Sequence, residues 1–112
     1  MKQIDPHKAI DFMLKNAGAY AKAKAEVTYL EEFRKTKKAL LMKDALVRGI
    51  EAANAQEREA YAHPEYQELL TGLAQAIEVE EKLNWHLEAA RMRCDIWRTE
   101  EASNRATDRA AQ

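Results

Sequence analysis

Along the second half of the chain, apolar residues recur at alternating steps of three and four. One row is Tyr66, Leu73, Glu80, Leu87 and Cys94, and the other is Leu69, Ala76, Leu83, Ala90 and Trp97. Only Glu80 interrupts them. A seven-residue repeat sustained over this length predicts a helix that pairs with another in a left-handed sense. His63-Pro64 should open it, because proline disfavours helix in the residue before it and suits the first helical position. The expected helix covers 64–104 and is roughly 60 Å long at 1.5 Å per residue.

Upstream, Tyr20, Ala23, Val27, Leu30 and Phe33, then Leu40, Leu41, Leu46, Ile50, Ala53 and Ala60, predict a helix over 19–62 whose apolar stripe stumbles at Arg34 to Lys38. Gly49 and Asn54 complicate its far end, and Asn54-Ala-Gln-Glu57 resembles a capping box able to restart it. A short first helix over 7–17 begins at Asp5-Pro6, an N-cap acceptor followed by proline. Lys15-Asn16-Ala17-Gly18 reads as its end. The Ala-rich, polar tail, 105–112, is expected to fray. Folding 19–62 back on 64–104 about Pro64 sets Ala60 near Leu69, Ala53 near Ala76, Leu46 near Leu83, Met42 near Leu87 and Ala39 near Ala90. The expected fold is therefore all-α: one domain, 1–112, built as a long, coiled-coil-like antiparallel helical hairpin with a short N-terminal helix.

Trp85, Ala89, Met92 and Ile96, spaced 4, 3 and 4, make a second apolar stripe on the heptad helix. A two-helix hairpin cannot cover both stripes. Either the first helix folds back onto this face, or another subunit does. Two paired helices bury a seam rather than a globular core, so a homo-oligomer using these four residues is expected.

Composition agrees with long helices: 33% of residues are charged, with only three Gly and two Pro. β-branched residues are few and show no sustained alternation. There is no apolar run long enough to cross a membrane and no signal-peptide pattern. Cys94 stands alone, which excludes an internal disulfide and fits a reducing cytoplasm. The net charge of −1 is unevenly spread. Residues 1–48 carry eleven Lys plus Arg against six Asp plus Glu, giving +5, whereas residues 49–112 carry seven against thirteen, giving −6. This polarity suits antiparallel pairing or head-to-tail assembly, and it leaves a basic half for a polyanion.

The basic segment is Arg34, Lys35, Lys37, Lys38, Lys43 and Arg48, opposed only by Asp44. At helical spacing these cations surround the helix at one level. They are either a solvated face or a belt that attracts phosphates without sequence preference. Tyr20, Tyr29 and Phe33 lie nearby. Tyr29 and Phe33 are either core residues or stacking platforms for bases. His7, His63 and His86 have no partner at ligand spacing, so no metal or other cofactor is expected. Cys94 belongs to the seam as a small apolar residue. Gly18, Gly49 and Gly72 are too dispersed for a phosphate loop. Glu80, Glu81, Glu100 and Glu101 read as solvated charges, and no catalytic group is expected.

Four segments carry a resemblance: Leu30-Glu-Glu-Phe-Arg-Lys-Thr-Lys-Lys-Ala-Leu-Leu-Met-Lys43, Asn54-Ala-Gln-Glu-Arg-Glu-Ala-Tyr-Ala-His-Pro-Glu-Tyr66, Leu83-Asn-Trp-His-Leu-Glu-Ala-Ala90 and Trp97-Arg-Thr-Glu100. Together they resemble small helical proteins of phage recombination modules. Residues 20–105 are also similar, in order of features, to the UvsY-type recombination mediators of T-even phages. The resemblance implies an oligomer in the cytoplasm of an infected bacterium that binds single-stranded DNA and assists a recombinase or annealing protein. Its basic helix corresponds to Arg34, Lys35, Lys37, Lys38, Lys43 and Arg48. This chain departs from the pattern in being slightly acidic overall. The alternative is a helical adaptor, chaperone or virion assembly protein that binds protein only.

Overall fold

The computed structural model describes residues 3–111, and these residues form three helices: α1 (Pro6–Val47), α2 (Ala53–Ala62) and α3 (Pro64–Ala111). The chain is all-α, and its long helices pair as an antiparallel hairpin. It divides into two compact units. One is formed by the chain up to Ala21 together with the chain from Glu81 onward, and the other is Lys22–Glu80.

Asp5 starts α1 as its sequence context requires. Its Oδ1 accepts the N–H groups of His7 at 3.0 Å and Lys8 at 3.3 Å, which satisfies two donors that the first helical turn leaves open. The expected stop at 15–18 does not occur, and one helix of 42 residues replaces the two expected over 7–17 and 19–62. Asn16 bonds back along the helix, donating from Nδ2 to the Phe12 carbonyl at 2.8 Å, rather than terminating it. A single glycine costs about 1 kcal/mol relative to alanine. That cost is outweighed because the buried or half-buried positions Ala9, Met13, Asn16, Tyr20, Ala23, Val27, Leu30, Arg34, Lys37 and Leu41 continue through it in unbroken steps of four and three.

The real end of α1 lies at Val47. Gly49 adopts φ 102°, the left-handed region that glycine enters without steric cost. Its N–H donates to the Leu46 carbonyl at 3.0 Å, and the Ile50 N–H donates to the Ala45 carbonyl at 3.0 Å. This pair of bonds is a Schellman stop. The separate helix α2 then begins at Ala53 with Ala52 at its N-cap and no side-chain cap. The Asn54–Glu57 capping box is therefore not used. Gln56 secures the connection instead, donating from Nε2 to the carbonyls of Ile50 at 2.9 Å and Glu51 at 3.2 Å.

His63-Pro64 does open α3. The His63 imidazole Nδ1 accepts the Glu65 N–H at 3.1 Å, so a histidine serves as the cap. At the other end, α3 continues to Ala111 where fraying from 105 was expected. Alanine's helix propensity and Arg109 in the last turn, beside the negative end of the helix dipole, account for the extension. Gln112 lies outside the described residues.

All ten expected seam positions of α3, from Tyr66 to Trp97, are buried or half-buried, including Glu80. Their partners differ from the expected register. In the Lys22–Glu80 unit, Lys37 meets Glu65, and Leu41 packs with Ala60 and Tyr66, supported by Met42 and Leu70. Ala23 and Glu26 lie opposite Gly72, Ala76 and Val79. In the other unit, Phe12 lies against His86 with ring centroids 6.3 Å apart. Leu46 is exposed rather than part of the seam. The reason is topological: the chain reverses through α2, between Gly49 and Pro64, and not at Pro64 alone.

Leu41→Ala should cost about 2–5 kcal/mol, and Ala60→Leu about 1–3 kcal/mol through overpacking. Glu80→Leu should raise the melting temperature by adding apolar area to the seam. Thermal and denaturant unfolding followed by circular dichroism checks all three. An unchanged midpoint for Leu41→Ala would contradict the assigned packing.

Candidate functional site

The basic segment is brought together, but mostly against carboxylates of the same unit. Lys37, with a side chain 22% exposed, places Nζ 3.1 Å from Glu65 Oε2. Lys38 donates from Nζ to Glu57 Oε1 at 3.2 Å and sits over the Tyr61 ring, 4.8 Å from its centroid. Arg48 donates from Nε to Asp44 Oδ2 at 3.2 Å, and its Nη2 lies 3.8 Å from Glu59 Oε2. Lys35 pairs with Glu32 one turn away. These contacts explain the stumble in the apolar stripe. Arg34 and Lys37 occupy seam positions; Lys37 fastens α1 to the first turn of α3, and Lys38 and Arg48 reach α2. Arg34 and Lys43 have no carboxylate within 4.0 Å among the described residues.

The Tyr61 contact first, and Glu57 second, raise the Lys38 pKa above its ordinary 10.5. A raised folded-state value means that this contact is at full strength below the ordinary lysine value and is lost as pH rises through the folded one. The change of stability with pH from this contact is therefore confined to alkaline solution above about 10.5, and the contact is fully in force at neutral pH. Tyr29 is 62% exposed and stacks on half-buried Phe33 with centroids 5.8 Å apart and planes 11° apart. Tyr20 is a half-buried seam residue.

The second stripe stays uncovered in its unit. Trp85 is 69% exposed, Met92 56% and Ile96 47%, with Ala89 exposed between them. The N-terminal part of α1 does fold back onto α3, but it lands on the main seam, where Ala9 and Ala90 are buried. The alternative in which the first helix covers the Trp85 stripe is thereby corrected. The seam needs the small faces of these alanines, and Trp85 lies outside it.

The same unit contains a feature that sequence reasoning missed. A groove of about 550 Å³ lies between the start of α1 and α3, with Lys8, Phe12, His86 and Arg93 in its wall. Phe12 and His86 stand just outside the seam rows of their helices. The period-seven pattern marks such positions, but pairing them requires the true register of α1 against α3.

Cys94 is half-buried on the seam. Among the described residues, no three His, Cys, Asp or Glu side chains gather to hold a metal ion, and no helix is long and apolar enough to cross a membrane. Comparison with known proteins gives no matching family model, no matching curated relative and no matching solved structure.

Lys37→Glu should lower stability by about 1 kcal/mol or more, since it sets like charges together at a partly buried contact. Combining it with Glu65→Lys should recover most of the loss. Melting temperatures of the single and paired variants measure this. Failure of the swap to rescue would mean that Lys37 acts through its aliphatic stem.

Proposed function

We propose that the chain is a non-enzymatic accessory protein of phage DNA recombination that acts as a homo-oligomer, holds single-stranded DNA and assists a recombinase or annealing protein in the bacterial cytoplasm. The observation that carries the assembly part is the uncovered stripe Trp85, Ala89, Met92 and Ile96. Its 4-3-4 spacing is that of a helix-pairing seam, and one copy of the hairpin leaves it facing water. A second copy covers it most economically, because isologous or ring contacts reuse one surface in every subunit.

The nucleic-acid part rests on the four segments that resemble phage recombination proteins, and on cations left without carboxylates. Arg34 and Lys43 are such cations within the basic segment. The nearby exposed ring of Tyr29 adds an aromatic surface of the kind that holds unpaired bases. Contacts of this kind reach phosphates and ring faces rather than base edges, so binding is indifferent to sequence.

A second reading, a protein-only helical adaptor, is favoured by one observation: Lys35, Lys37, Lys38 and Arg48 already face carboxylates of their own chain. Salt dependence separates the two. On the DNA reading, affinity for a labelled oligonucleotide falls with salt at a slope of about −0.7 per phosphate neutralised. No binding at low salt by a folded oligomer would favour the adaptor.

Light scattering should find the wild-type chain larger than a monomer, and Trp85→Glu or Met92→Glu should reduce its mass while helicity persists. A wild-type chain that stays monomeric at high micromolar concentration would overturn the assembly part.

A further inference from the structure

We propose that the groove between the start of α1 and the later part of α3 is a nucleotide subsite, which seats one phosphate and one base of a single strand. The inference rests on the DNA-binding reading above and concerns residues outside the basic segment.

Two cations, Lys8 and Arg93, line the groove, and neither has a carboxylate within 4.0 Å among the described residues. They contrast with Lys37, Lys38 and Arg48, whose charges are answered within the chain. The one acid in the groove wall is Asp5. Its Oδ1 accepts the His7 and Lys8 N–H groups at the helix end, and it forms no ion pair within 4.0 Å with the Lys8 ammonium or the Arg93 guanidinium.

The remaining wall is aromatic. Phe12 and His86 hold their rings 6.3 Å apart at 50°, both exposed. The small side chains of Ala9 and Ala90, both buried, also line the groove. A volume of about 550 Å³ falls in the range of small-ligand sites, roughly 300–1,000 Å³. Cations beside exposed ring faces are the elements that bind an unpaired nucleotide: the cations take the phosphate and the rings take the base. An acidic peptide would use the cations but leave the rings idle, so the pairing of the two favours a nucleotide.

Fluorescence anisotropy with a labelled oligothymidylate at low salt tests the subsite on the full chain. Lys8→Glu with Arg93→Glu should weaken binding at least tenfold, and the neutral pair Lys8→Gln with Arg93→Gln should weaken it less, with helicity and mass as in the wild type. Phe12→Leu should remove the fluorescence quenching of 2-aminopurine placed in the strand. Wild-type binding that survives the charge reversal would overturn the subsite and leave the DNA reading standing. An absence of wild-type binding would overturn both. Unquenched 2-aminopurine on the bound wild type, or displacement of the strand by oligoglutamate at equal concentration, would overturn the assignment to a nucleotide.

Discussion

Close approach of α1 to its partners depends on alanine. Among the described residues, five of the nine buried apolar side chains are Ala9, Ala23, Ala45, Ala60 and Ala90, and no large side chain is fully enclosed. Small residues allow helix backbones to come together, but each removes little apolar area from water. The packing is therefore close yet contributes modestly at each point, and it must be repeated along the helices to hold them. That requirement explains why a single glycine does not break α1. Interrupting the seam at Gly18 would forfeit contacts on both sides of the break.

A thin apolar seam also leaves room for charge to direct the fold. The basic first half and acidic second half of the chain meet where Lys37, Lys38 and Arg48 face Glu65, Glu57 and Glu59. Each such pair is exposed enough to be worth little by itself. Together they fix which way α2 lies against α1, because the opposite placement would leave several like charges adjacent. Most of the cations that looked available to a polyanion are occupied with this task, and within the basic segment Arg34 and Lys43 are left without a carboxylate among the described residues.

The ends set by proline were legible in the sequence, since Asp5-Pro6 and His63-Pro64 act through local geometry alone. The α3 seam was legible too, because ten positions at a fixed period outweigh one exception at Glu80. The turn was not. Gly49 closes α1 through a backbone angle and two hydrogen bonds that no hydrophobic pattern encodes, and Ala52 caps α2 where an asparagine two residues later looked the better candidate. Arg34 and Lys37 concealed the seam of α1 because their long aliphatic stems pack while their heads reach carboxylates or water. With the turn misplaced, Ala9 and Ala90 could not be recognised as neighbours, and the groove they flank was invisible.

The interposed helix α2 has a kinetic consequence. Contacts around it, such as Lys38 with Glu57 and Arg48 with Glu59, close short loops, whereas pairing Ala9 with Ala90 closes a loop of most of the chain. Loop-closure entropy rises with separation, and rapid folding favours local contacts. On these grounds the helices are expected to meet first beside α2, with the pairing of Phe12 with His86 formed last. By the same logic it opens first when the protein breathes. The groove and the Trp85 stripe thus sit on the part of the molecule whose helix pairing closes the longest loops, and that part is expected to reorganise at the lowest cost.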